Sequence, residues 1–209
     1  TAKLVAAGPE RAAKKFGELE KQYPNSGWSQ KGLLMQTYSE YTEGKYDEAV
    51  ATANRYIGLY PNSKDAPYVY YLAGMSYYNQ IPDADRDQER AEKSVTIFNQ
   101  LVQKYPKSEY VNDAKFKIQV AKDQLAAREM KVGRYYLEQS NYTAGINRFR
   151  EVLGKYQSTR HTEEALFRLE NILAVDMKRV GLPVHAPELH RFAGAPRDLV
   201  GDLLLVEHR

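Results

Sequence analysis

The tetrapeptide YPNS stands at Tyr23–Ser26 and again, unchanged, at Tyr60–Ser63, and this repetition is the main indication of the fold. A near copy, YPKS, stands at Tyr105–Ser108, and a degenerate copy, YQST, at Tyr156–Thr159. Proline cannot continue a helix, and serine or aspartate is a favoured N-cap. Each copy therefore predicts the end of one helix and the start of the next. The predicted N-caps are Ser26, Asp65 and Ser108.

The residues before each copy have the spacing of an amphipathic helix. Apolar residues recur at i, i+3, i+4 and i+7. Phenylalanine lies seven residues before the tyrosine in three copies, alanine takes its place in the second copy, and a small residue lies four positions earlier in all four. The aromatic or alanine positions are Phe16, Ala53, Phe98 and Phe149, and the small residues are Ala12, Ala49, Ser94 and Gly145. This pattern resembles the second helix of a tetratricopeptide repeat.

The pattern predicts an all-α fold. The predicted helices run near 9–22, 27–42, 46–59, 66–79, 88–104, 109–139, 142–155 and 160–178. Stacked antiparallel helix pairs bury a shared core between them. Residues 1–178 are therefore predicted to form a tetratricopeptide-repeat solenoid of about five repeats, with the first and the last incomplete or divergent. Residues 179–209, which contain several Pro and Gly breaks, are read as a divergent C-terminal tail.

Composition and motifs argue against catalysis. The 209 residues carry a net charge of +3 and contain no cysteine. Disulfides and thiolate metal sites are thereby excluded, and so small a charge does not favour nucleic acid as a partner. No phosphate-binding loop or nucleophile elbow is present, and the spacing of His185, Glu188 and His190 matches no zinc signature. We expect no enzymatic activity, no cofactor and no metal; an enzyme would require His185 and His190 to hold one.

Tyrosine is unusually frequent, with 17 copies in the chain. Neighbouring residues on a helix point about 100° apart, so Tyr70 and Tyr71 cannot both lie in the core. We expect one ring of each such pair to pack and the other to line a groove. Tyrosine is favoured on binding surfaces because it offers a large contact area and a polar tip.

Longer segments resemble a specific family. They include the loop Asp85–Asp87, the segment EMKVGRYY at Glu129–Tyr136 and INRF at Ile146–Phe149. From about Gly8 to Leu169 the chain resembles the BamD family, the helical-repeat lipoproteins of the β-barrel assembly machine in the Gram-negative outer membrane. The resemblance implies a non-enzymatic scaffold at the periplasmic face of that membrane, held there by an N-terminal lipid whose cysteine is missing from this chain.

The resemblance also implies two binding regions. The C-terminal repeats, about 106–178, would bind the POTRA region of the barrel subunit BamA, alongside other lipoproteins of the complex. The N-terminal repeats, about 1–105, would receive C-terminal targeting peptides of unfolded outer-membrane proteins. The alternative is a generic periplasmic tetratricopeptide-repeat adaptor that coordinates cell-envelope or peptidoglycan machinery.

Specific residues follow from the same resemblance. Arg148 is implied to meet an acidic residue of BamA, with Asn147, Tyr135 and Tyr136 as neighbours. An arginine that points away from the apolar stripe of its helix can pair bidentately with a carboxylate. The residues implied for the targeting peptide are Tyr23, Trp28 and Tyr38. For Tyr23, an equally good interpretation is that the ring closes the first repeat.

Overall fold

The computed structural model of the chain describes residues 9–23, 26–82 and 88–179, and all regular secondary structure in these ranges is α-helical. The helices are α1 (Pro9–Gln22), α2 (Gly27–Thr42), α3 (Tyr46–Leu59), α4 (Ala66–Tyr78), α5 (Glu89–Lys104), α6 (Val111–Glu138), α7 (Tyr142–Lys155) and α8 (Thr162–Arg179). The predicted all-α fold is confirmed. The largest differences from the predicted ends are at the starts of α6 (109 predicted) and α8 (160 predicted). Asp85–Asp87, His185, Glu188, His190 and the tail from residue 180 lie outside the described residues.

The first and last residues of all four tetrapeptides are joined by the same backbone hydrogen bond. In each, the backbone carbonyl of the tyrosine accepts the N–H of the residue three positions later, at N···O distances of 3.4, 3.1, 3.0 and 3.0 Å in chain order. This is the hydrogen bond of a β-turn. Each turn lies between two consecutive helices, so the prediction that it ends one helix and precedes the next is confirmed.

Of the three predicted N-caps, only Ser26 makes a side-chain capping bond. Ser26 has an extended backbone (φ −89°, ψ 158°), and its hydroxyl accepts the N–H of Ser29 at 3.0 Å. Asp65 has a helical backbone (φ −90°, ψ −8°), and its side chain makes no capping bond. Ser108 lies too early, because its hydroxyl accepts the N–H of Tyr110, before α6 begins, at 3.4 Å. Asp65 therefore occupies the predicted N-cap position without capping the helix, because its backbone is helical. The prediction for Ser108 is wrong, because Tyr110 directly precedes α6.

The helices form two compact units that divide between Leu125 and Ala126, inside α6. In the first unit each helix from α1 to α5 packs on the next. The buried core of this unit includes Leu33, Ala53, Tyr56, Val69, Phe98, Leu101 and Ile118. In the second unit the core is Ala126, Met130, Phe149, Val152, Ala165, Leu169 and Ile172. Packing of successive helices across short turns is the tetratricopeptide-repeat arrangement that the sequence predicts.

A glycine on one helix receives a phenylalanine ring from the next helix in both units. A Cβ atom added at Gly74 would lie 2.5 Å from Cε1 of Phe98, and one added at Gly133 would lie 2.6 Å from Cε1 of Phe149. Both rings are fully buried. The rings therefore occupy the space that a side chain would need, and at Gly133 this contact sets how closely α6 and α7 approach.

Candidate partner-binding sites

Three of the four residues predicted to bind BamA line one open pocket of about 330 Å³ in the second unit. Tyr136 comes from α6, and Asn147 and Arg148 come from α7. Ala144 and Glu151 complete the lining. Phe149 is buried in the core while Arg148 is exposed, so Arg148 points away from the apolar stripe as the sequence predicts.

An ion pair holds Arg148 at this pocket. Its Nη1 donates to Oε2 of Glu129 on α6 at 3.2 Å; the Arg148 side chain is 45% exposed and that of Glu129 only 14%. The carboxylate that lines the pocket, Glu151, pairs instead with Lys155 on its own helix. Glu129 is therefore the acidic partner of Arg148, and the sequence did not single it out as a site residue.

Tyr135 lies beside the pocket and is not one of its lining residues. Its side chain is 57% exposed, and its ring meets that of Tyr136 edge-on with centroids 5.8 Å apart. Tyr136 is half-buried. The pair thus divides as expected for neighbouring tyrosines, and Tyr135 adds an exposed aromatic surface next to Tyr136.

A second group of charges links α6 to α8 in the same unit. Glu164 accepts hydrogen bonds from Arg134 Nη1 at 3.0 Å and from Nε and Nη2 of Arg168 at 3.2 Å each. Burial raises the pKa of Glu164, but the two guanidinium groups outweigh it, so the net pKa is lowered. Arg134 and Arg168 thus share one carboxylate, and the bond from Arg134 ties α6 to α8.

The residues predicted to bind the targeting peptide lie at two places in the first unit. Trp28 is 71% exposed and Tyr23 58% exposed, near the start of α2. Tyr38 is half-buried on the same helix, ten residues beyond Trp28. At 1.5 Å of rise per residue it lies about 15 Å farther along the helix axis. The structure therefore separates Tyr38 from the two exposed residues.

Tyr38 belongs instead to a group of partly exposed tyrosines that we call the tyrosine face. The rings of Tyr68 and Tyr110 have centroids 5.3 Å apart, and those of Tyr71 and Tyr110 are stacked at 5.1 Å. Tyr38 and Tyr41 lie near enough to Tyr68 to help raise the pKa of its hydroxyl. The tyrosine face thus consists of Tyr38, Tyr41, Tyr68, Tyr71 and Tyr110.

The hydroxyl groups of Tyr68 and Tyr71, at the centre of the tyrosine face, stay protonated at neutral pH. Burial, together with the neighbouring tyrosines, raises the pKa of Tyr68 to about 12. Burial also raises the pKa of Tyr71, and so does the hydrogen bond of 2.7 Å that its hydroxyl donates to Asp113. The face therefore offers aromatic rings and neutral hydroxyls to a ligand. Tyr70, the neighbour of Tyr71, is buried, as expected for such a pair.

The sequence could have revealed this face. Tyr38 and Tyr41 lie on α2, and Tyr68 and Tyr71 on α4, which are the first helices of successive pairs. Tyr110 directly precedes α6, the next first helix. First helices of successive pairs lie side by side in a tetratricopeptide array, so tyrosines recurring on them are predicted to meet.

A larger polar pocket of about 570 Å³ lies between α1, α2 and α3, and it is mainly structural. Its buried Glu40 accepts hydrogen bonds of 2.7 Å from Gln36 and from Thr52. The Thr52 bond ties α2 to α3. Glu18, Glu43 and Glu48 share this lining with Lys14, Lys45 and Arg55, so acidic and basic side chains are mixed throughout.

Two further properties concern membranes and metals. Within the described ranges, no helix combines the length and the apolar character needed to cross a bilayer. In the same ranges, no three acidic or histidine side chains are grouped as metal ligands would be.

Comparison with known proteins identifies relatives over most of the chain. The family model YfiO, described as outer membrane lipoprotein, matches residues 1–180. A Caulobacter vibrioides protein is 44% identical over 154 residues, which are 74% of this chain and 50% of the relative. One from Rickettsia prowazekii is 41% identical over 160 residues, 77% of this chain and 64% of the relative. One from Neisseria meningitidis is 32% identical over 195 residues, which cover 85% of this chain and 73% of the relative. All three are named outer membrane protein assembly factor BamD. The chain thus spans about half to two thirds of the length of the first two relatives.

Proposed function

The chain belongs to the YfiO family of outer membrane lipoproteins, whose matched relatives are BamD assembly factors, and on this basis we propose that it is a non-enzymatic scaffold of outer-membrane protein assembly. It acts at the periplasmic face of the outer membrane, to which an N-terminal lipid tethers the full-length protein. It assembles there with BamA and with other lipoproteins of the complex. No step in this role requires a bound cofactor or a metal.

The Arg148 pocket is the proposed site for the POTRA region of BamA. The observation that carries this proposal is the shared lining of one pocket by Tyr136, Asn147 and Arg148. An exposed guanidinium, an amide and a phenol offer several donors to a carboxylate of the partner. Tyr135 adds exposed aromatic surface beside them, and aromatic and arginine side chains are those that most often dominate binding energy.

Charge reversal at Arg148 tests this proposal. Arg148→Glu places a carboxylate opposite the partner's carboxylate and beside Glu129, so we expect affinity for the purified POTRA region to fall at least 100-fold, or about 2.7 kcal/mol. Arg150→Glu is the matched control, because Arg150 is exposed on the same helix and is not in the lining. Isothermal titration calorimetry measures both, and circular dichroism verifies that helicity is kept.

The outcomes separate the candidate functions. If the Arg148 variant binds as tightly as the wild type, the interface lies elsewhere on the protein. If the wild-type protein recovers no BamA from solubilised outer membranes, the general periplasmic adaptor is favoured instead. Equal losses in the Arg148 and Arg150 variants would indicate a general effect of charge without a specific pocket.

The tyrosine face is the proposed site for C-terminal targeting peptides of unfolded outer-membrane proteins. Tyr38, one of the residues implied for this role, lies in it, and rings with neutral hydroxyls suit extended peptides that carry apolar side chains. A labelled synthetic peptide and fluorescence anisotropy provide the test. We expect Tyr68→Ala to weaken binding about tenfold and Trp28→Ala less than twofold. The reverse ranking would move the site to Tyr23 and Trp28.

A further inference from the structure

Glu129 and Tyr136 lie on the side of α6 that meets Arg148. The two residues are seven apart, which is two helical turns, so their side chains project from nearly the same side of α6. Arg148 of α7 bonds the first and lines the pocket with the second. The guanidinium is thus bonded to α6 through Glu129, and the same side chain lines the pocket.

We infer that Glu129 is a positioning residue for the Arg148 pocket. Glu129 holds the guanidinium of Arg148 so that the remaining N–H groups of the guanidinium can donate to a carboxylate supplied by the partner. This inference rests on the proposed function, in which the Arg148 pocket receives an acidic side chain of the BamA POTRA region. Glu129 itself does not touch the partner; it acts through Arg148.

The hydrogen bonds of Arg148 leave donors available. Only Nη1 is bonded to Glu129, and among the described residues Nε and Nη2 have no hydrogen-bond partner. A guanidinium carries five N–H donors in a rigid, planar arrangement. Arg148 can therefore keep Glu129 and still offer two N–H groups to a second carboxylate. A lysine at position 148 would lack this fixed geometry.

The environment of Glu129 makes the restraint effective. Its side chain is only 14% exposed, so this ion pair is less screened by solvent than a pair between two fully exposed side chains. An unrestrained arginine loses rotamer freedom when it binds, which weakens association. By ordering Arg148 before the partner arrives, Glu129 reduces that loss.

A competing role for Glu129 predicts the opposite change in affinity for the partner when the charge of Glu129 is removed. If its carboxylate merely neutralised Arg148, removing the charge would strengthen the attraction to an acidic partner. If Glu129 orders Arg148, removing the charge weakens binding although the protein becomes more positive. Glu151, whose carboxylate lines the pocket, cannot substitute for Glu129 without giving up Lys155.

A double-mutant cycle distinguishes these roles. The variants are Glu129→Gln, Arg148→Ala and the two combined, and calorimetry measures their affinity for the purified POTRA region. We expect Glu129→Gln to weaken binding about tenfold, or about 1.4 kcal/mol, when Arg148 is present, and less than twofold when it is absent. Unchanged or tighter binding overturns the inference, and so does an equal loss in both backgrounds.

A second measurement needs no partner. Relaxation of the ¹⁵Nε signal of Arg148 is expected to show a more ordered guanidinium in the wild type than in the Glu129→Gln variant; equal order contradicts the inference. If Arg148→Ala abolishes binding while Glu129→Gln leaves it unchanged, only this inference fails. If the wild-type protein does not bind the POTRA region, the proposed function fails and this inference falls with it.

Discussion

Replacing Gly133 with alanine is expected to destabilise the second unit, although alanine is the better helix former. A Cβ atom at this position would lie 2.6 Å from Cε1, 2.8 Å from Cζ and 3.1 Å from Cδ1 of Phe149. Ordinary contacts between carbon atoms are about 3.5–4.0 Å. The Phe149 ring is fully buried in the core formed with Met130 and Val152, so it cannot turn aside without disturbing that core.

The expected loss of stability in Gly133→Ala follows from two opposing effects. Overpacking a well-packed core costs about 1–3 kcal/mol, and three ring atoms in close contact place this case in the upper part of that range. Replacing a helical glycine with alanine contributes about 1 kcal/mol in the other direction. The expected net loss is therefore about 1–2 kcal/mol. The altered spacing of α6 and α7 should also weaken the proposed binding to the POTRA region, because Tyr136 and Arg148 come from these two helices.

Gly154 provides the matched control. It lies in α7 of the same unit, and a Cβ atom added there meets nothing within 4 Å. Gly154→Ala should stabilise the protein by up to about 1 kcal/mol. Urea denaturation followed by circular dichroism at 222 nm measures both variants. If Gly133→Ala proves as stabilising as Gly154→Ala, the contact with Phe149 does not limit how closely α6 and α7 approach.

Two further predictions concern buried hydrogen bonds and pH. Tyr56→Phe should cost about 1 kcal/mol in urea denaturation, because the fully buried Tyr56 hydroxyl accepts a hydrogen bond of 3.0 Å from Gln30; an unchanged midpoint would contradict this. The pKa of Glu164 is lowered from 4.5 because Arg134 and Arg168 outweigh the effect of burial. The ionised carboxylate therefore contributes its full stabilisation at pH values well above 4.5, and this contribution is lost as the pH falls below 4.5. Thermal unfolding should therefore find Glu164→Gln less stable than the wild type at pH 7, with the difference shrinking towards pH 3; a constant difference would refute the role of the charge.

The fold could be predicted from the sequence because its signals are local. The tetrapeptides mark the turns, and even YQST forms the same turn without proline. There, Thr159 Oγ1 donates to the Tyr156 carbonyl at 2.7 Å, and Thr162 Oγ1 lies 3.3 Å from it. The capping of individual helices was predicted less well than the turns. Asp65 stands where a cap is expected, but its backbone is already helical and its side chain makes no capping bond. Residue type predicts a cap only where the backbone conformation allows one.

The candidate sites could be predicted only in part, because they depend on contacts between helices. Arg148 and Tyr136 lie 12 positions apart in the sequence, and the family resemblance, not periodicity, placed them together. Glu129 escaped notice because an acidic residue on a long helix is usually solvated. Its low exposure becomes apparent only when α7 lies against α6. The tyrosine face also depends on contacts between helices, although tyrosines that recur on successive first helices could have indicated it.

The close contact between α6 and α7 shapes both the core of the second unit and the Arg148 pocket. Besides Gly133, Gly145 contributes to it, since a Cβ atom there would lie 2.9 Å from Leu137 and 3.3 Å from the Gly133 carbonyl oxygen. The next turn of α7 then carries Phe149 inwards and Arg148 outwards, where Glu129 lies within hydrogen-bond reach. A bulkier residue at either glycine would move Arg148 away from Glu129 even if the unit still folded. Binding should therefore be more sensitive than helicity to substitutions at Gly133 and Gly145.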